Sequence, residues 1–177
     1  MNENAAVLRS IPGLADVDSE VLTEIANHFR RRPFKDEVIC REGEAADTLW
    51  VLAKGDADVV KRSEAGRDFV VATLSPVCLF GHVGLFTSSG RTATIRARGA
   101  VEVLQMSSTQ AHLLLRTSTW RVSGPFRRAL IIALSQQLTA ATQTLWRLAE
   151  EMGATEPASG ASPSDAERRL LKANSHV

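Results

Sequence analysis

The sequence predicts a mainly β domain, an antiparallel sandwich or barrel, introduced by a short helix and followed by one long helix. Three observations lead there. Short runs rich in Val, Ile, Phe and Thr recur between Phe34 and Ser107, separated by turns that mostly centre on glycine, the pattern of antiparallel strands. Ahead of them, Val21, Leu22, Ile25, Ala26 and Phe29 repeat at helical spacing. After them, Ile131, Leu134, Leu138, Ala141, Leu145, Leu148 and Met152 alternate three and four apart, the seam of a coiled coil.

Composition bounds what such a domain does. At 177 residues, with 44% hydrophobic and 23% charged, the chain buries a proper core and carries an appendage. A net charge of +1 argues against a general nucleic-acid coat. No apolar run approaches the roughly 20 residues that span a bilayer, and Met-Asn-Glu-Asn is no signal pattern, so a cytoplasmic location without membrane contact is expected. Cys40 and Cys78 make neither a disulfide framework nor a metal set; they are read as reduced and packed. His28, His82, His112 and His176 are scattered, and no nucleophile–base pair or paired carboxylate stands out. Neither an enzyme nor a metal protein is expected, and no cofactor.

In chain order, Ala5 to Ser10 reads as a helical turn broken by Ile11-Pro12-Gly13-Leu14. Asp18 or Ser19 caps the next helix, which Arg30-Arg31-Arg32 are expected to close before Pro33 stops it. The arginines read as a solvated helix terminus, with a binding patch as the alternative. Strands are predicted at Val38-Ile39-Cys40, Leu49-Trp50-Val51-Leu52, Ala57-Asp58-Val59-Val60, Phe69-Val70-Val71-Ala72, Ala93-Thr94-Ile95-Arg96 and Val101-Glu102-Val103-Leu104. Turns at Glu42-Gly43-Glu44, Lys54-Gly55-Asp56, Glu64-Ala65-Gly66 and Arg98-Gly99 separate them. The last helix is expected from about Ser118 to Met152, with Pro125 starting or kinking it. Its seam either packs on the chain's own barrel or pairs with a second copy, and a parallel two-fold dimer is the expectation. Ala154 to Pro163 is linker, and Ser164 to Lys172 a possible short helix. The divisions are therefore 1–117, 118–152 and 153–177.

One stretch stands out as chemistry. Phe80-Gly81-His82-Val83-Gly84-Leu85-Phe86, then Ser88-Ser89-Gly90 as a turn, then Arg91-Thr92-Ala93-Thr94, reads as an anion cradle. The glycines let backbone approach a ligand and bracket a short helical turn whose amides face a negative charge. Arg91 supplies a cationic fork and Thr92 a hydroxyl, both suited to phosphate oxygens. The plainer reading of the same residues is a turn between strands.

Together, the helix, the succession of short strands, the cradle and the seam helix make the chain resemble the cyclic nucleotide-binding domain family, which includes the catabolite activator protein and the regulatory subunits of cyclic-nucleotide-dependent kinases. The likeness runs from about Leu8 to Met152 and takes in the Arg41-Glu42-Gly43-Glu44 and Lys54-Gly55-Asp56 turns. It implies a jelly-roll β-barrel with an N-terminal helix and a long C-terminal dimerisation helix. The family cradle reads Phe-Gly-Glu, two apolar or small residues, Leu, a variable loop, then Arg-Ser/Thr-Ala. Phe80, Gly81, Gly84, Leu85, Arg91, Thr92 and Ala93 fit it. By that likeness Arg91 pairs with the cyclic phosphate, Thr92 adds a hydrogen bond, and amides around Val83 and Gly84 complete the cradle. Thr139 and Thr142 lie at the depth where the family reads the base.

Two departures stand against the pattern. His82 replaces the family glutamate, which accepts a hydrogen bond from the ribose 2′-hydroxyl, and Val77-Cys78 follow Pro76 where the family commonly has Gly-Asp. A neutral imidazole has one acceptor and serves in one tautomer only; the other possibility is a ligand with a second phosphate. About two dozen residues come after Met152, mostly linker, so the winged helix-turn-helix of the family's transcription factors is not expected, nor is direct DNA binding. Two readings stay open: a dimeric receptor for cyclic AMP, cyclic GMP or a cyclic dinucleotide that signals through a protein partner, or a dimeric interaction scaffold with a retired pocket.

Overall fold

The computed structural model describes residues 2–87, 90–117 and 119–153, in two compact units that divide between Gln137 and Leu138. The first unit opens with α1 (Glu3–Leu8), capped by the Asn2 side chain, and α2 (Ser19–Ala26), where Asp18 accepts from the Glu20 amide at 2.9 Å. Val21, Leu22, Ile25 and Ala26 are buried, as their helical spacing requires.

The triple arginine does not close that helix. Residues Arg30–Lys35 form β1, paired antiparallel with β6 (Thr94–Ser107) from Arg30↔Gln105 to Lys35↔Ala100. Strand alternation divides the charges. Arg32 lies over the Phe34 ring at 4.7 Å, while Arg31 bonds the Asn4 side chain at 2.8 Å and pairs with Glu102. Pro33 is tolerated because β1 pairs on one side only.

Next come β2 (Val38–Cys40), β3 (Thr48–Arg62), β4 (Asp68–Leu74) and β5 (Cys78–Phe80). They complete a six-stranded antiparallel sheet in the order β1-β6-β3-β4, with β2 on β6 and β5 on β3. Lys54-Gly55-Asp56 and Arg98-Gly99, read from the sequence as turns between strands, lie inside continuous β3 and β6. They are kinks. The register shifts on either side of Lys54, and Gly55 takes φ +75° with Ala100 O only 2.3 Å from where a Cβ would sit. The extra residue swaps the faces of β3: Trp50 and Leu52 face the inner cluster before it, Ala57 after it. On the other face Leu49, Val51, Leu104 and Met106 pack under the helices.

The strand β6 runs directly into α3 (Ser108–Thr117), a helix of its own that the sequence patterning does not set apart from the long helix after it. Ser107 Oγ accepts from the Gln110 amide at 3.2 Å and Gln110 Oε1 accepts from the Ser107 amide at 3.3 Å, a capping box. Then α4 (Trp120–Glu151) carries Pro125 in its second turn and buries Val122, Phe126, Ala129 and Leu130 with the α1–α2 residues. Arg128 fixes that packing by donating to Gly13 O at 2.7 Å and to Asp16 at 2.7 Å.

The second unit, as described, is the remainder of α4 with its end at Met152-Gly153. Of the predicted seam, Ile131, Leu138, Ala141, Leu145, Leu148 and Met152 are exposed and Leu134 is half-buried. The linker and helix expected after Ala154, and Ser88, Ser89 and Ser118, lie outside the described residues. Among the described residues no helix is long and apolar enough to cross a membrane, and no cluster of His, Cys, Asp or Glu has metal-binding proximity.

Candidate functional site

The site is built where β5 ends. Phe80, its last residue, pairs with Trp50 across the sheet, and their rings stack with centroids 5.3 Å apart. The chain then turns sharply at Gly81, φ +74°, where a Cβ would lie 2.8 Å from the Trp50 ring and 3.0 Å from Arg91 Nη1. No other residue takes that conformation cheaply in so little space. Val83–Leu85 make a single 3-10 turn, with Gly84 inside it and not closing it as the expected bracketing by two glycines would have it. Leu85 is buried, and Gly84 presses so closely on the loop before β3 that a Cβ there would meet Ala46 Cβ at 2.1 Å.

That loop, residues 41–47, is the half of the site that sequence patterning does not assemble. It is stitched to the arginine segment by Gly43 N donating to Arg91 O at 2.9 Å, Arg91 N to Glu44 O at 2.8 Å, and Glu42 N to Thr94 Oγ1 at 3.0 Å. Lys61 adds a clamp, bonded to Glu42 and donating to Thr92 O at 2.7 Å.

Arg91 lies at the centre, its side chain 4% exposed. The guanidinium covers the Trp50 ring at 4.3 Å and donates to Thr48 O at 2.7 Å and to Gly81 O at 3.3 Å. Its nearest carboxylate, Asp47, is 3.5 Å away and mostly in solvent. Burial pulls the guanidinium below its ordinary pKa, against the upward effects of Cys40, Asp47 and Glu44. Among the described residues the outcome is a buried cation that holds two carbonyls and whose only carboxylate partner, Asp47, is exposed.

His82, the residue after Gly81, is buried, and neither Nδ1 nor Nε2 has a hydrogen-bond partner among the described residues. Burial lowers its pKa, so the ring is held neutral. Val83 and Ala93 are half-buried, and Thr92 is exposed. Thr142 lies in the other unit, exposed, its hydroxyl donating to Leu138 O at 3.0 Å. The structure thus brings Phe80, Gly81, Gly84 and Arg91 together around Trp50 and Ala46. In the sequence Trp50 reads only as a strand residue, since nothing local marks it as the platform for an arginine. Thr48 serves twice: its carbonyl holds Arg91, and it helps line a separate polar depression of about 350 Å³ with Arg30, Gln105, Ser107 and Gln110.

Residues 31–118 match the family model for the cyclic nucleotide-binding domain. The chain is 28% identical over 102 residues to a cAMP-dependent protein kinase regulatory subunit of Blastocladiella emersonii, covering 57% of this chain and 25% of that protein. It is 30% identical over 92 residues to the cAMP-activated global transcriptional regulator CRP of Salmonella typhimurium, covering 51% of this chain and 43% of the regulator. The chain therefore spans less than half the length of these curated relatives. A solved cyclic nucleotide-binding domain from Methylobacillus flagellatus shares the fold with TM-score 0.73 at 15% identity, covering 82% of each chain.

Proposed function

Because the chain belongs to the cyclic nucleotide-binding domain family, we propose that it is a regulatory binding protein, not an enzyme, in which Arg91 holds the phosphodiester of a cyclic nucleotide. One observation carries the reading: among the described residues the only carboxylate paired with the buried Arg91 is the solvent-exposed Asp47, at 3.5 Å. A buried charge with so weak a partner is costly, and a phosphate oxygen pair suits the guanidinium fork. Thr92 and the amides of Val83 and Gly84 add to the phosphate contact, with Phe80, Gly81, Leu85 and Ala93 shaping its walls. Entry of the ligand displaces the 41–47 loop, whose Ala46 lies against Gly84. The seam Ile131, Leu134, Leu138, Ala141, Leu145, Leu148 and Met152, exposed but for the half-buried Leu134, pairs with a second copy, and the dimer signals to a protein partner in the cytoplasm.

A second reading, a dimeric scaffold with a retired pocket, is favoured by the same close contact of Ala46 on Gly84 and by His82 in place of the family glutamate. Calorimetric titration with cyclic AMP, cyclic GMP and cyclic di-GMP decides between them. Micromolar or tighter binding by one of them supports the receptor; absence of binding by all three refutes it and leaves the scaffold.

A further inference from the structure

The consecutive arginines that open β1 have different settings. Strand alternation turns Arg31 to the helical face, where it meets Asn4 and Glu102, and puts Arg30 and Arg32 on the opposite face with Phe34. Arg32 lies over the Phe34 ring at 4.7 Å. The Arg30 side chain has no hydrogen bond or ion pair among the described residues. It lines the polar depression of about 350 Å³ with Thr48, Gln105, Ser107 and Gln110. Strand register assembles this group. Arg30 opposes Gln105, and Ser107 opposes Thr48, and directly opposed residues share a face; the first turn of α3 adds Gln110.

The lining contains one cation and no carboxylate. Its acceptors are largely engaged: Gln110 Oε1 takes the Ser107 hydroxyl at 3.0 Å, Ser107 Oγ takes the Gln110 amide, and the Thr48 hydroxyl is bonded to Asp47 at 2.9 Å. The Arg30 guanidinium, the Gln105 side-chain amide and the Gln110 side-chain NH2 are left without partners among the described residues, so donors predominate. A guanidinium fork fits the two oxygens of a carboxylate. A phosphomonoester brings a charge of about −1.5 to −2, more than the one cation here matches. The volume lies at the small end of ligand sites, which run from roughly 300 to 1,000 Å³. We infer that the Arg30 depression is a second binding site, for a small hydroxyl-bearing monocarboxylate: Arg30 takes the carboxylate, and Gln105 and Gln110 donate to hydroxyl oxygens. This site is separate from the Arg91 cradle and holds or fails independently of the nucleotide reading.

The isotope-labelled full chain is titrated with gluconate, acetate and inorganic phosphate at an ionic strength held constant with chloride, and backbone amide shifts are followed by NMR. Gluconate shifts Thr48, Gln105, Ser107 and Gln110 saturably and binds more tightly than acetate or phosphate. Arg30 is exposed, so Arg30→Gln leaves the fold intact; it weakens gluconate about tenfold or more, the scale of a lost hydrogen bond to a charged group. Gln105→Leu weakens it about two- to tenfold. Arg32→Gln removes the same charge from the same face outside the depression and leaves the affinity within about twofold, because salt screens a charge that does not touch the ligand. Equal losses in Arg30→Gln and Arg32→Gln overturn the inference, since the strand then attracts anions without a site. Acetate or phosphate binding as tightly as gluconate overturns it too, as does the absence of saturable gluconate shifts at these residues.

Discussion

Arg91→Met separates what the arginine does for the fold from what it does for a ligand. In the fold, Arg91 has one good bond to Thr48 O at 2.7 Å, a long one to Gly81 O at 3.3 Å, and the Trp50 stack at 4.3 Å. The Asp47 contact is with an exposed carboxylate and adds little. The bonds and stack stabilise by about 2 to 4 kcal/mol in all, but taking the cation out of water costs several kcal/mol. The net is small. Methionine keeps the stem and a sulfur for the Trp50 ring, about 0.3–1.5 kcal/mol, and leaves the Thr48 carbonyl without its donor. A loss of about 1 to 2 kcal/mol results, a melting temperature lower by about 2 to 8 °C in a chain this size. For the phosphate, two charge-assisted bonds of about 1.5 to 3 kcal/mol each disappear, so affinity falls by at least a hundredfold. Differential scanning fluorimetry reads the first quantity and calorimetric titration the second. Affinity unchanged in Arg91→Met refutes the site, and loss of the folded circular dichroism spectrum refutes the claim that the buried arginine is energetically near neutral for the fold.

Gly84→Ala places a methyl 2.1 Å from Ala46 Cβ and destabilises by about 1 to 3 kcal/mol through overpacking; adding Ala46→Gly restores the melting temperature, and a purely additive double variant contradicts the contact. The folded-state pKa of His82 lies below its ordinary value of 6.5, so the native state binds fewer protons than the unfolded chain. The corresponding stability is present above pH 6.5 and lost as pH falls through the lowered value; His82→Leu removes that slope from a series of denaturant melts between neutral and mildly acid pH. Leu138 and Leu145, 70% and 67% exposed, carry the proposed pairing, so Leu138→Glu with Leu145→Glu halves the mass seen by light scattering while leaving the first unit's melting transition in place.

The helices and most strands are legible in the sequence because their patterns are local. Val21, Leu22, Ile25 and Ala26 have a single way to share one face, and Val38-Ile39-Cys40 and Phe69 to Ala72 are short runs rich in β-branched and aromatic residues bounded by polar or turn residues. Arg30-Arg31-Arg32 mislead because cations before a proline also suit a helix end. What decides for a strand is distant: the backbone of residues 100–105 on β6, and the Glu102 carboxylate that takes Arg31. Gly55 and Gly99 mislead for a related reason. A glycine at positive φ serves a hairpin turn and a kink within a long strand equally well, and only the partner strand's register distinguishes them. The capping box at Ser107 and Gln110 is a local signal, but the chain's return from β6 into a separate α3 is masked by the longer periodic pattern beyond it.

The site divides in the same way. That Gly81, Gly84 and Arg91 come together is legible because close backbone approach demands glycine and the three fall within one short stretch. The direction of the guanidinium is not. It is set by the Trp50 ring and the Thr48 carbonyl, which lies 43 residues upstream, and by a loop whose Ala46 fills the space over Gly84. Arg91 is therefore bound at its backbone to that loop through Glu44 O and at its side chain to the strand that the loop leads into. On the proposed function, a ligand that competes for the guanidinium acts on one end of this connection and displaces at the other Ala46, which lies against Gly84. Affinity at Arg91 and the position of residues 41–47 would then be one coupled equilibrium. A ligand shifts that equilibrium only by the difference in its affinity for the two loop positions, so loosening the loop by Ala46→Gly should tighten binding without adding a single contact.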